Sequence, residues 1–271
     1  MYTGSHFEKI LGVRVDATNY QDVCDRIQFW KATQRSCYIV AANVHMLMTT
    51  YWQPNYRRVL QRAALVTPDG MPLVWGLRLL GIKQQPRVYG PDLMLAWCDR
   101  AAQIESPIYL YGGTPEMLTK LRARLQQQYP NLKIAGYHSP PFRTLTPQEE
   151  AQDIKKIHQS GAEVVFVGLG CPKQEYWMAR QAGQLRAVMV GVGAAFSFHS
   201  GEVSQAPRWM MKSGLEWLFR LWQEPQRLWV RYLLNNPLFL ILFGLQMVKH
   251  FFIATFPSSK SLKPHPSPHR Q

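Results

Sequence analysis

The chain has 271 residues, 46% of them hydrophobic, a formal net charge of +14 and an isoelectric point near 9.8. That length suits one large domain or a domain with an appendage, and the apolar content excludes a disordered chain. The charge calls for an anionic partner: a phosphorylated ligand, an acidic membrane surface or nucleic acid.

Lys9–Val15 is apolar and β-rich and reads as one strand. Thr18, with Gln21 three positions on, is a capping-box signal that predicts a helix from about Asn19 to Gln34. Cys37–Ala41 reads as a strand running into Asn43, and residues 44–64 read as helical with a break near Pro54. Leu65–Val66 leads into the turn Thr67–Gly70 (TPDG), followed by a helix over about 71–80. PRVYGPDL, Pro86–Leu93, is a loop feeding a helix that ends near Gln103. Pro107–Tyr111 is a short strand ending in Gly112–Gly113; Thr114 as N-cap and Pro115 at the first helical position open a helix to about Gln128. Leu132–Gly136 is the next strand, and Thr146 with Glu149 forms a capping box opening a helix to about Gln159. Then come the strand Glu163–Val167, the turn GLGCPKQEYW over 168–177, a helix to about Ala182 and the strand Ala187–Val192.

Strands alternating with helices signal an α/β fold: a Rossmann-like, mainly parallel sheet with helices on both faces. The runs 107–111, 163–167 and 187–192 are apolar without alternation, as strands covered on both faces require. After Gly201 the character changes. Residues 214–256 are rich in Trp, Leu, Phe and Arg, and Pro225 and Pro237 are expected to divide them into helical pieces. The expected organisation is an α/β core over 1–213, a helical, basic and apolar appendage over 214–256, and a disordered Ser-, Pro- and Lys-rich tail over 257–271.

In open α/β sheets, ligands bind outside the carboxyl ends of the strands. Gly168 and Gly170 stand at such an end and let the backbone approach a ligand; Gln174 and Glu175, in the first turn of the following helix, are expected to point into the crevice. The plainer alternative is that Glu175 only favours the positive helix end. Asp69 sits in a Pro–Asp–Gly turn, where a carboxylate can take a proton from a substrate hydroxyl or simply shape the turn. Asn43 offers an amide to a sugar or base, or a local cap. Arg87 suits a phosphate, or a surface ion pair with Asp92. The strand–helix turns at Gly112–Gly113 and Gly191–Val192–Gly193 suit contact with a diphosphate.

Phe196 stands where a dinucleotide fingerprint needs its third glycine, which disfavours a nicotinamide oxidoreductase. Cys24, Cys37, Cys98 and Cys171 lack Cys-x-x-Cys spacing and read as reduced intracellular thiols. His45, His138 and His199 are scattered and read as ordinary polar residues, so no metal and no cofactor is expected. The opening MYTGSHFEKI shows no basic-then-apolar signal pattern, which argues against secretion.

Arg227 and Arg231 share a helix face, with Arg220 on the preceding helix and Trp222 and Trp229 nearby. Arginine forks suit phosphate, and tryptophans suit a bilayer interface. Leu238–Phe256 is apolar but interrupted by Gln246, Lys249 and His250, which favours an interfacial helix over a membrane span; a buried core helix is the competing reading. A nucleic-acid module would carry its charge as a stripe with stacking aromatics. Here the Trp and Arg residues flank an apolar helix, so nucleic acid is not the expected partner.

Six blocks, in order, resemble the WecG/TagA/CpsF glycosyltransferases (glycosyltransferase family 26). They are Asn43; Pro68–Asp69–Gly70; RVYGPDL from Arg87; GCPKQE from Gly170; Gly191–Val192–Gly193 with Phe196; and Ala206–Pro207 with GLEWLFRLWQEPQR from Gly214 and Arg231–Tyr232. The similarity spans residues 8 to 235. It implies an inverting, metal-independent transferase, peripheral on the cytoplasmic face of the membrane. Such an enzyme moves an N-acetylmannosamine-type sugar or a uronic acid from a UDP-sugar donor to a polyprenyl-diphosphate-linked acceptor. It further implies Asp69 as general base, Arg87 and Gln174 as site contacts, and Arg220, Arg227 and Arg231 on the lipid diphosphate; homo-oligomerisation stays open. Two positions depart from the pattern: Ala41 stands where the family often has Thr, and Gln205 where it has Arg before Ala-Pro.

Overall fold

The computed structural model describes residues 6–255; the tail expected from Pro257 lies outside the described residues. β1 (Phe7–Ile10) and β2 (Val13–Asp16) form an antiparallel hairpin, where one continuous strand is expected over Lys9–Val15. The chain reverses at Leu11 and Gly12, with φ of 51° and 78°. Positive φ at both central residues is what a tight two-residue hairpin turn requires, and an apolar Leu at the turn hides that signal. α1 (Tyr20–Ala32) is capped one residue later than expected. Asn19 Oδ1 accepts from the Asp22 N–H at 2.9 Å, while the Thr18 hydroxyl donates to the Asp22 carboxylate at 2.6 Å.

Six strands make the main sheet: β3 (Cys37–Ala42), β4 (Leu65–Pro68), β5 (Ile108–Gly112), β6 (Ile134–His138), β7 (Val164–Gly168) and β8 (Val188–Gly191). Their order is β4-β3-β8-β7-β5-β6, and every pair is parallel. The helices between them are α2 (Val44–Trp52), α3 (Pro54–Arg62), α4 (Met71–Leu79), α5 (Gly90–Gln103), α6 (Pro115–Gln128), α7 (Pro147–Ser160), α8 (Lys173–Gln181) and α9 (Ala195–Ser200). The two-residue period of a strand sorts the core into two layers. Cys37 and Ile39 pack with α1, α5, α6 and α9; Tyr38, Val40 and Ala42 pack with α2, α3, α4, α7 and α8. This is why Val164–Val167 and Val188–Val190 are buried on both faces and show no polar alternation. Truncating Phe166 in this layer to Ala is expected to cost about 3–5 kcal/mol. All six strands point their carboxyl ends the same way, so their following loops share one edge.

Three helices follow: α10 (Arg208–Lys212), α11 (Glu216–Gln223) and α12 (Pro225–Thr255). Pro225 begins α12, as expected, but Pro237 lies inside it and does not divide it. An internal proline costs about 3 kcal/mol. Phe239, Phe243 and Met247, four residues apart, are buried against the core, and each contributes about 1.5–3 kcal/mol, which outweighs the proline. The fit is close: a Cβ on Gly76 of α4 would lie 3.2 Å from the Phe243 ring. Gln246 Oε1 accepts from the Leu11 N–H at 2.8 Å and its Nε2 donates to Lys9 O at 2.6 Å. The polar interruption in the apolar run thus ties α12 to the hairpin turn. The other face of α12 leaves Leu234, Leu240, Ile241, Leu245 and Phe252 exposed. By length and composition, Pro225–Phe252 is long and apolar enough to cross a membrane.

Candidate active site

The strand ends open into a crevice of about 600 Å³. Its wall is formed at the carboxyl ends of five strands: Ala41 and Asn43 from β3, Asp69 from β4, Gly113–Thr114 from β5, Gly168–Cys171 from β7 and Gly191–Gly193 from β8. Arg220, Arg227 and Arg231, from α11 and α12, line the same crevice. A second cavity, of about 330 Å³, lies between α4 and the α11–α12 segment. Asn43, His45, Asp69, Glu216, Arg220 and Arg231 border both spaces.

Asp69 is fixed by its backbone and its carboxylate together. Its N–H donates to Ala42 O at 2.9 Å, and its Oδ1 accepts from the Gly90 N–H at 3.1 Å. Burial pushes its pKa up to about 6; the Arg87 guanidinium opposes the rise, the Glu216 carboxylate adds to it, and the Gly90 N–H and Arg220 oppose it. Such a group is ionised near neutral pH and still basic enough to accept a proton.

Arg87 faces the second cavity. Its Nε donates to the Asp69 backbone oxygen, its Nη2 to Glu216 Oε2 at 2.6 Å, and its Nη2 lies 3.8 Å from Asp69 Oδ1. The guanidinium also stands 4.2 Å from the Tyr89 ring centroid. The alternative pairing with Asp92 is not made: Asp92 binds Arg208 at 2.6 Å. Glu216 lies inside the GLEWLFRLWQEPQR block but carries no separate signal in the sequence, because its partner is 129 residues away. His45, read as an ordinary polar residue, also belongs here. Burial, aided by Arg231, holds its pKa down to about 4, and its Nδ1 is 3.2 Å from Asn235 Nδ2.

Asn43 makes the local cap and also stands where a ligand could reach it. Its Oδ1 caps α2 by accepting from the Met46 N–H at 3.3 Å, and the residue borders both cavities. Gln174 lines the crevice as expected, whereas Glu175 does not. Consecutive helical residues are turned by about 100°, and here that turn carries the Glu175 side chain into the core. Glu175 is fully buried beneath Gln174, accepting from Gln174 Nε2 at 2.6 Å and from the Tyr56 hydroxyl at 3.2 Å, and burial pushes its pKa up. Gln174 Oε1 is left buried without a protein partner.

Gly191 and Gly193 line the crevice, and a Cβ on Gly191 would meet Met178 Cε at 2.7 Å. Gly112 does not border it. With φ of 121°, its Cα presses on the Gly168 backbone, where a Cβ would collide at 2.6 Å, and the next residue, Gly113, supplies the crevice wall. Among the arginines, Arg227 is exposed and pairs with Glu224 at 2.7 Å, while Arg220 stands 5.9 Å from the Phe198 ring centroid. Arg231 is half-buried; its Nε has no protein partner, and burial lowers its pKa. Cys171 also borders the crevice, and all four cysteines are free thiols. Among the described residues no three His, Cys, Asp or Glu side chains converge as metal ligands.

The arrangement combines a carboxylate of raised basicity, glycine turns that admit a ligand to the backbone, and three arginines that can hold negative charge. A protein from Bacillus spizizenii, named N-acetylglucosaminyldiphosphoundecaprenol N-acetyl-beta-D-mannosaminyltransferase, is 33% identical over 200 residues, covering 73% of this chain and 76% of that protein. A model of the glycosyl transferase WecG/TagA/CpsF family matches residues 8–251, a span that includes both cavities and the docked part of α12. The chain therefore belongs to the WecG/TagA/CpsF family of glycosyl transferases.

Proposed function

We propose that the protein transfers an N-acetylmannosamine-type sugar, or a uronic acid, from a UDP-sugar to a polyprenyl-diphosphate-linked sugar, with inversion, in cell-surface polysaccharide synthesis. The observation that carries this reading is Asp69 at the junction of two cavities of different character. Asp69 accepts the proton of the acceptor hydroxyl as its oxygen bonds to the anomeric carbon of the donor. The bond from that carbon to the UDP oxygen breaks, and UDP leaves with the electron pair. Attack from the side opposite UDP inverts the centre. Asn43 and Arg87 hold the reacting sugars; Gln174 and the turns at Gly113, Gly191 and Gly193 hold the donor. Arg220, Arg227 and Arg231 hold diphosphate charge without a metal.

The described residues up to Ser213 form the transferase core in this reading, and the appendage expected over 214–256 completes the site and docks at the cytoplasmic face of the membrane. The exposed apolar face of α12 supports docking, since soluble monomers rarely expose such patches. The contacts of Asn235, Phe239, Phe243 and Gln246 with the core hold the helix along the body of the protein, which favours lying in the interface over spanning. The test is a panel of UDP-sugars with a synthetic sugar–diphosphate–lipid acceptor, the anomeric configuration of the product being read by NMR. No transfer with any donor, or a retained configuration, overturns the reading.

A further inference from the structure

We propose that the second cavity is the channel for the lipid of the acceptor, receiving the isoprenoid units next to the diphosphate. This rests on the reading of the protein as a transferase to lipid-linked sugars. Three observations carry it.

The first is the lining. Away from Asp69 the cavity wall is apolar: Met71, Pro72 and Trp75 of α4 face Trp217 of α11 and Leu240 of α12. Its two glycines, Gly70 and Gly214, stand singly, whereas the crevice has the paired glycine turns Gly168–Gly170 and Gly191–Gly193. The wall is also closely fitted. Gly214, with φ of 73°, lets the turn before α11 press on Trp75, where a Cβ would stand 2.6 Å from the indole.

The second is the pair of ends. At one end stand Asp69, Arg87 and Arg231, whose buried Nε has no protein partner. At the other, Trp75, Trp217 and Leu240 are exposed, and Leu240 continues into the exposed apolar face of α12. A molecule that fits is apolar at one end and, at the other, carries both negative charge for Arg220 and Arg231 and a hydroxyl for Asp69. A sugar–diphosphate–prenyl lipid has these two ends. Its diphosphate meets Arg231 and Arg220, its sugar hydroxyl meets Asp69, and its hydrocarbon runs outward along the tryptophans.

The third is continuity with the exposed face of α12. Because the mouth opens beside that face, the acceptor reaches Asp69 without its chain leaving an apolar environment, so the cost of exposing hydrocarbon to water is avoided.

The test uses the full-length enzyme, its active donor and two water-soluble acceptors that share one sugar diphosphate. One bears a geranyl chain and the other an ethyl group, and no vesicles or detergent are present. KM for the geranyl acceptor is expected to be lower by roughly tenfold or more, since burying only a few methylenes yields that factor. In Leu240→Glu, and separately in Trp217→Ala, the two KM values are expected to converge. The ratio is internal to each variant, so a partly folded preparation does not imitate the result, and membrane docking plays no part in it. Equal KM values in the unaltered enzyme, or a preference that survives both substitutions, overturns the channel while leaving the transferase reading intact. If neither acceptor receives sugar from any donor, the transferase reading fails and the channel fails with it.

Discussion

The two spaces that meet at Asp69 are built from different materials. The crevice is largely a backbone site, made of glycine turns and helix starts at parallel strand ends, with arginines across from them. The neighbouring cavity is a side-chain site, made of Trp75, Trp217, Phe239 and Leu240. A backbone site offers N–H groups and close approach, which suits a nucleotide diphosphate. Away from its charged end at Asp69, Glu216 and Arg231, a tryptophan- and leucine-lined site offers mainly apolar surface. In the proposed function, this contrast lets one carboxylate serve a water-soluble donor and a lipid-linked acceptor, each held by the surface that matches it. It also shows a dependence: the crevice loops belong to the sheet, whereas the second cavity exists only while α11 and α12 are docked.

The largest effect is expected at the junction. Asp69→Asn preserves both walls and removes the base, and turnover is expected to fall by roughly 10²–10⁴ while UDP-sugar affinity, read by calorimetry, is retained. Near-normal turnover, with chemistry shown to limit the rate, would falsify the assignment.

The arginines come next. Arg231→Ala combined with Arg227→Ala is expected to raise KM for a diphosphate acceptor by roughly 10–100-fold, the scale of a lost charge-assisted hydrogen bond. Vesicle co-sedimentation should weaken with it, most visibly at low salt. Unchanged acceptor KM would remove the arginines from the diphosphate site.

A smaller effect sharpens the coupling between α11 and the base. The base works only when ionised, and its pKa is pushed up to about 6, so kcat/KM is expected to rise with pH through a midpoint near there. Glu216→Gln removes a negative charge that raises this pKa and frees Arg87 to approach Asp69, so the midpoint should move to lower pH. A profile identical to the parent would mean that Glu216 only anchors the helix.

The smallest effect is none. The arginines and helix starts already supply positive charge at the crevice, and chelation is expected to leave the rate unchanged. Loss of activity in EDTA with recovery in Mg²⁺ would place a metal beside the donor.

The alternating strands and helices were legible because β7 and β8 are continuous apolar runs bounded by glycine turns, and because Thr114 and Thr146 cap their helices as their neighbours predict. The misreadings share a cause. Leu11 carries a hairpin turn inside an apolar run and is held there by Gln246, 235 residues away; Pro237 sits in an unbroken helix because the buried face of that helix outweighs it. In each, a distant contact overrode the local pattern.

By itself, then, the sequence determined the α/β class, the glycine turns at the strand ends and the carboxylate of the Pro–Asp–Gly turn, since these depend on neighbours along the chain. Only the tertiary structure decided that Glu175 lies behind Gln174, that Gly112 packs on Gly168 while Gly113 lines the crevice, and that Glu216 clamps Arg87 beside Asp69. Those outcomes depend on which face of a helix meets the sheet and on how strands far apart in sequence come together, and local spacing carries no record of either.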